Sequence, residues 1–580
     1  MFPLHDPLDE TLRAELRDYD DLTAALLARR GIVTKEDADR FLNPSYDLHL
    51  HDPLLMTDMP RAARRLADAI LAGEKIAVWS DYDCDGVPGG VVLHDFLRKA
   101  GAEFENYIPH RHDEGYGLNV DGIETLAKNG VKLLITVDSG ITDLEPVARA
   151  KELGMEVIIT DHHLPGDTLP DAFAVVDPNA RSDETYPFHE LCGAGVAWKL
   201  VVATLAVEPN LREKMPVGWE KWLLDMVGLA TIADMVPLVG ENRVLATYGL
   251  LVLRKSPRIG LQKLCRGMRV EQRAITEDDV GFMIAPRVNA ASRMGDARDA
   301  FRLFTTADES EADELAKKLE RANRQRKAEA GAITRAVHTR LKERDELKSV
   351  IALGDPEWRP ALLGLVAGTI ADEYERPVFL WGREGNMRLK GSMRSGGAVH
   401  ALELMRATVD TFVDFGGHAA AGGFTVRDDA VFFLEDNLVL ALRSFGGEEA
   451  ARSNDLSLRA DAELAAEEAT PSFLRRVERL SPFGMQNQKP VFLLRGVTVR
   501  EVTRFGKSEE HLKVTIDMRE GKGSIDAVTF FAKGALARTA ANLGKGSAAH
   551  IIVHLERDTF SRGNPVRLRL LDIKLARNRE

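Results

Sequence analysis

Residues 76–90 read IAVWSDYDCDGVPGG. The apolar run Ile76-Ala77-Val78-Trp79 passes directly into aspartates at every second position, Asp81, Asp83 and Asp85, and then Gly86. In an extended chain alternate side chains project to one side, so three carboxylates crowd together there. Like charges so placed repel unless a cation lies between them. The flanking sequence says what kind of scaffold carries this crowding.

From about residue 46 to 240 short apolar runs alternate with amphipathic ones. The order is strand KIAVWS, helix GGVVLHDFLRKAG, strand FENYIP, helix DGIETLAKNG, strand KLLITVD, helix LEPVARAKELG, strand EVIITD, then AFAVVDP. Strands alternating with helices of that length predict an α/β lobe built on a parallel sheet. Three of the runs end on aspartate, at Asp81, Asp138 and Asp161. In open α/β sheets the functional crevice lies outside the carboxyl ends of the strands, which is where these acids fall.

Four separated pieces supply the same chemistry: SDYDCDG (80–86), TVDSG (136–140), TDHH (160–163) and TIADMVPL (231–238). Carboxylates and imidazoles suit divalent ions such as Mg²⁺ and Mn²⁺, and no cysteine pair has zinc-ligand spacing. A pair of such ions can activate a bridging water and clamp the oxygens of an in-line phosphoryl displacement. DYDCDG also opens like an EF-hand loop, but Val92 stands where that loop needs its glutamate, and a strand precedes it. Singly each piece is weak: an aspartate ending a strand is equally a helix cap, as Asp138 illustrates. The pair His162-His163 beside Asp161 is harder to read as packing, and the combination decides.

The remaining chain sets bounds. At 580 residues it exceeds one hydrophobic core, and 44% hydrophobic with 29% charged content describes an ordinary globular protein. No apolar run reaches membrane-span length, and the acidic start MFPLHDPLDETLRAEL lacks the layout of a signal peptide. Three cysteines without a CxxC pair point to a reducing cytoplasm. Net charge is −13, yet residues 491–580 hold 17 Lys and Arg against 10 Asp and Glu. A basic module closing an acidic chain is the footprint of a part that meets phosphate, although scattered solvated charges would look alike.

The expected layout is an N-terminal helical segment (1–45), the acid-bearing α/β lobe (46–240), and a helical region (241–346) ending in one long helix. A second α/β lobe (347–445) and a C-terminal β-barrel of OB type (455–580) follow. The long helix is read from Leu315, Leu319, Ala322, Ala330, Ile333, Val337 and Leu341, which recur at helical spacing.

Segments in this order resemble the single-strand-specific 5′→3′ exonucleases of the DHH phosphoesterase superfamily, with Asp161-His162-His163 as the DHH motif. The likeness runs nearly the whole length, through LLARRGIVTKEDADRFLNP, PHRHDEGYGLN, DHHLPGDTLPDAFAVVDPN, GFMIAPRVNAASRMGDA, GSMRS, FGGHAAAGGF and SPFGMQNQKPVF. The resemblance implies metal ligation by Asp83, Asp85, Asp138, His162 and Asp234, with Asp81 a ligand or close behind. It implies that Asp161 fixes a histidine tautomer and that His163 orients the site or touches the scissile phosphate. Arg287, Asn289, Arg293 and Arg394 become phosphate contacts and His418 a contact to the strand. The barrel would carry the strand's distal part, with Phe505, Phe530, Phe531 and Phe560 as stacking candidates and a core role favoured for Phe530 or Phe531. Two Mn²⁺ or Mg²⁺ ions, single-stranded DNA, a helicase and a single-strand-binding protein complete the implied picture of a monomeric cytoplasmic repair and recombination enzyme. Rival readings are a DHH phosphodiesterase of cyclic dinucleotides or short oligonucleotides, and a non-catalytic strand-binding replication factor. Departures from the family pattern are Val87-Pro88-Gly89-Gly90, Ser292 and GDPEWRPALLG.

Overall fold

The computed structural model describes residues 2–576 except 386–387, 397–398, 445–457, 507–508, 519–522, 533 and 559–565. Chain contacts divide it into two compact units, residues 1–320 with 458–580, and residues 321–457.

The first unit is built on a parallel sheet of β1 (Ile76–Ser80), β2 (Phe104–Tyr107), β3 (Leu133–Val137), β4 (Glu156–Thr160) and β5 (Ala174–Val176), in the order β2-β1-β3-β4-β5. β1 and β3 are buried end to end because each face has its own core. Ile76, Val78, Leu133, Ile135, Val137 and Ile158 pack on one side, and Ala77, Trp79, Leu134, Val157 and Ile159 on the other. That double burial is why the strands read as continuous apolar runs rather than alternating ones. The chain leaves β1 in one direction to β2 and returns across it to β3, so the switch point of the sheet lies between β1 and β3.

The helix after β1 spans Gly86–Ala100 and begins three residues before the expected GGVV. Pro88 sits in its first turn, where a missing N–H breaks no helical bond. A side chain at Gly86 would meet the Asp81 backbone at 2.5 Å and one at Gly89 the Val137 side chain at 2.5 Å, so VPGG lets this helix press against the strand ends.

The N-terminal segment does not stand apart. Arg29 reaches Asp461 and Arg30 reaches Asn487, while Leu480 lies in one apolar cluster with Leu16, Leu26 and Leu27. Arg243, buried, donates to the carbonyls of Phe41, Leu480 and Ser481 and so ties three parts of the sequence together. In the second unit β6 (Ile351–Gly354), β7 (Val378–Gly382), β8 (Lys390–Arg394), β9 (Phe412–Gly417) and β10 (Ala421–Val426) form a mixed sheet, β6-β7-β8-β10-β9. The long helix is Glu309–Lys342, with Leu315, Leu319, Ile333, Val337 and Leu341 buried; the boundary between the units falls within it.

The C-terminal strands are β11 (Ala462–Glu463), β12 (Phe492–Phe505), β13 (His511–Asp517), β14 (Ser524–Thr529), β15 (Ala548–Arg557) and β16 (Val566–Leu575). Five of them close a barrel, β12-β13-β14-β16-β15, through the β12–β15 pairing. The order, with its one parallel pair β14–β16 and the helix Gly534–Ala541 between β14 and β15, is that of an OB-fold.

Candidate metal centre

The aspartates that end the strands are held by the sheet itself. The backbone N–H of Asp81 donates to Val137, that of Asp138 to Thr160 and that of Asp161 to Val176, extending the ladder one residue past each strand. Asp138 adopts φ +60°, a left-handed conformation that Asp tolerates and that recurs where function holds strain.

Asp85 receives the N–H groups of Gly193 and Ala194 at 2.6 and 2.7 Å, from the start of the helix Gly193–Val207. Asp83 turns back to accept from the N–H groups of Asp85 and Gly86. Asp234 closes the helix Leu224–Ala233. His162 Nε2 lies 3.2 Å from Asp138, 3.6 Å from Asp85 and 3.8 Å from Asp234, so these four side chains converge on one point. Asp161, fully buried, accepts from the N–H groups of His162, His163 and Ile141 and from His163 Nδ1 at 2.8 Å. It therefore stands behind the histidines and fixes the ring of His163.

The electrostatics favour protons or cations among these carboxylates. Burial, and then the charge of Asp83, pushes the carboxyls of Asp81 and Asp85 up, Asp85 to about 7. Asp138 is raised by burial and by Asp85 and Asp83, and Asp234, for the same causes, to about 9. The two histidines are split. Burial and the neighbouring His163 hold His162 down at about 4, as a neutral ligand must be. Burial also opposes the charge on His163, but the hydrogen bond and charge of Asp161 carry it to about 9. Burial pushes the Cys84 and Cys192 thiols well up, which keeps them protonated and unsuited to ligation.

The residues fit divalent ions. Asp81 Oδ1 is buried with no hydrogen-bond partner. Two trios with no member in common, Asp81/Asp83/Asp138 and Asp85/His162/Asp234, each bring ligand atoms within 4.8 Å of one another. The donor set is carboxylate and imidazole, the set hard and borderline cations prefer.

Other candidate residues are placed less uniformly. Asn289 Oδ1 accepts from the N–H of Cys84 and pins the DYDCDG loop. Arg293 lies close enough for its charge to act on Tyr82 of that loop. Arg287, read as a phosphate contact, is buried, and its guanidinium is held by Glu320 at 2.7 Å and the Met283 carbonyl. It joins the helix Ala285–Met294 to the long helix, so its fork is not open to a phosphate. In the second unit Arg394 lies in β8, and burial lowers its guanidinium from the ordinary value. His418 is exposed at the turn between β9 and β10. Phe505 is 37% exposed, and its ring meets His511 and Phe530 edge to face. The core role favoured for Phe530 or Phe531 fails for Phe531, which is 65% exposed beside His511 because its φ of +53° turns it out of the strand. Phe560 lies outside the described residues.

Three contributors escaped the sequence reading. Tyr116 donates to the Asp138 carbonyl and stands 3.3 Å from His163 Nδ1. Asn179 bridges the carbonyls of His162 and His189. The Gly193 and Ala194 amides hold Asp85. Backbone donors carry no side-chain signal, but the polar GYGLN and DPN turns beside motif residues could have flagged the other two.

A doubly wound sheet with an aspartate and histidine centre at its switch point defines a phosphoesterase of the DHH class. Residues 75–231 match the DHH family N-terminal domain, 347–444 the DHHA1 domain and 460–572 the RecJ OB domain. The single-stranded-DNA-specific exonuclease RecJ of Bacillus subtilis is 36% identical over 511 residues, covering 88% of this chain; the chain spans 63% of that protein's length. RecJ of Haemophilus influenzae is 31% identical over 528 residues, covering 87% of this chain and 88% of that one. The crystal structure of Thermus thermophilus RecJ with Mn²⁺ superposes with a TM-score of 0.79 at 28% identity, covering 99% of this chain and 79% of that one. The same protein has also been solved with Mg²⁺, at a TM-score of 0.73. The chain belongs to the RecJ family of single-stranded-DNA-specific exonucleases.

Proposed function

We propose that this protein is a metal-dependent exonuclease that hydrolyses single-stranded DNA from a 5′ end to mononucleotides. The observation that carries the reading is the pair of separate ligand trios, one of which contains Asp81, whose Oδ1 is buried without a partner. Asp81, Asp83 and Asp138 would hold one Mn²⁺ or Mg²⁺ ion, and Asp85, His162 and Asp234 the other. Bound there, such ions lower the pKa of a water and offset charge on the phosphate.

The chain's own groups do the rest. Asp161 keeps His163 cationic and oriented, leaving its second ring nitrogen for a phosphate oxygen. Tyr116 steadies the turned backbone of Asp138, and Asn179 that of His162. Arg293 and the amide nitrogen of Asn289 serve the strand's phosphates beside the loop. Arg394 and His418 serve the strand in the second unit, and the exposed rings of the barrel stack on its distal bases. The setting is cytoplasmic repair and recombination, with a helicase and a single-strand-binding protein as the partners that expose and present the strand. Among the described residues no helix is long and apolar enough to cross a membrane.

Single-stranded DNA labelled at either end tests this, digested with Mn²⁺ or with chelator. Early mononucleotide release from the 5′ label, abolished by chelator, is expected. Release from the 3′ label first, or cleavage that survives chelation, would overturn the assignment.

A further inference from the structure

Away from the metal centre the first unit holds a cavity of about 650 Å³, within the range of small-ligand sites. Two helices join the two places. Gly86–Ala100 begins beside Asp83 and Asp85 and brings Arg98 and Lys99 to the cavity, and Leu224–Ala233 begins there with Asp225 and ends at Asp234. At 1.5 Å per residue the first helix separates them by roughly 20 Å.

The cavity wall is aromatic and its rim is cationic. Trp219 and Trp222 belong to one 3₁₀ turn, Trp219–Leu223, in which side chains three apart eclipse, so both indoles lie on one face. Trp222 is 51% exposed, and Phe304 adds a buried ring. Lys99 and Lys255 are exposed and make no ion pair among the described residues, and Arg98 holds Asp95 while more than half exposed. The two carboxylates in the lining carry no free charge into the space. Asp95 and Asp225 are both bound by Arg258, each at 2.8 Å, and Asp225 also accepts from Ser256 and the Met226 N–H. The hydroxyls of Thr305 and Thr306 are committed to Phe301 and Glu311.

We propose that this cavity is a second, non-catalytic site for a nucleoside 5′-monophosphate, the base stacked on the tryptophan face and the phosphate held by Lys99, Lys255 and Arg98. Stacking accepts any base because every base has a π-face. With these groups already bonded, no uncommitted side-chain hydroxyl or carboxylate of the lining is left to select one base edge. A site of that kind suits an enzyme that releases all four mononucleotides, and the choice of ligand rests on the exonuclease reading above.

The test is calorimetric titration of the full chain with dAMP and with dTMP in chelator, where nothing is cleaved and the two readings can fail separately. One saturable site is expected, the two nucleotides differing by less than about tenfold and Trp222→Ala weakening both by about tenfold. Lys99→Glu with Lys255→Glu should remove binding, thymidine without its phosphate should bind far more weakly than dTMP, and Asp138→Ala should leave binding unchanged. Absence of binding at millimolar nucleotide would overturn the proposal. So would strong base preference, equal binding of thymidine, or binding that Asp138→Ala removes and Trp222→Ala leaves intact.

Discussion

At the carboxyl ends of the parallel strands, charged groups are buried, crowded and fixed by backbone; on the C-terminal barrel, paired and partly exposed charges lie beside open rings. Asp81, Asp85, Asp138 and Asp161 are almost wholly enclosed, and main-chain N–H groups or the sheet ladder hold each in place. On the barrel, Phe505 and Phe531 flank His511, and Arg569 lies 4.4 Å from the Phe530 ring. The contrast follows from the two tasks. Chemistry on one phosphorus needs ligands placed before the substrate arrives, and burial makes their mutual repulsion strong enough to favour protons or cations among them. Carrying a strand of arbitrary sequence needs only π-faces and loosely placed positive charge. A substitution at the centre should therefore act all or none, and one on the barrel should act by degrees.

Asp138→Ala is the most severe break, since Asp138 faces His162 and serves the trio with Asp81 and Asp83. Cleavage should fall by about a thousandfold or more, with the fold retained by circular dichroism. Asp161→Asn touches no ligand position but removes the partner that charges and orients His163; cleavage should fall by about 10–100-fold while Mn²⁺ still binds. Metal-free protein should also respond to pH. Asp85 and Asp234 carry folded values near 7 and 9, above the ordinary 3.8, so the stability they contribute is fully present below the ordinary value. It is lost as pH rises through 7 and 9. Thermal melts in chelator should therefore fall from pH 5 to 9, and Mn²⁺ should flatten the decline.

The barrel effects are smaller. Phe531→Ala should weaken binding of a long strand by about 1–3 kcal/mol while leaving cleavage of a short oligonucleotide unchanged. Arg569→Gln should lower the salt slope of strand binding by about 0.7 at most, because Glu556 at 3.1 Å already balances part of that charge. Equal losses on long and short substrates for Phe531→Ala would erase the contrast between the two regions.

Much of the candidate centre was legible because most of its acids and histidines follow strands whose apolar runs announce themselves, and because DYDCDG, TVDSG and TDHH each keep their acids within a few residues of a strand end. The barrel was legible too, because its strands alternate apolar with polar residues, as in HLKVTID (511–517). Arg287 misled because a guanidinium in a motif looks the same whether it faces a phosphate or, as here, Glu320 of a helix more than thirty residues on. Phe531 misled because hydrophobicity says nothing of a left-handed backbone that turns the ring outward. The start of the helix at Gly86 was hidden by Pro88-Gly89-Gly90, which reads as a breaker until the close approach to Asp81 and Val137 is seen.

Whether the buried carboxylates are built around two cations is decided by calorimetric titration of the full chain with Mn²⁺. Two bound ions and a melting temperature that rises on binding are expected, with one ion fewer and a smaller rise in Asp138→Ala. Saturation without any shift in melting temperature, or uptake that Asp138→Ala leaves unchanged, would contradict a two-cation centre.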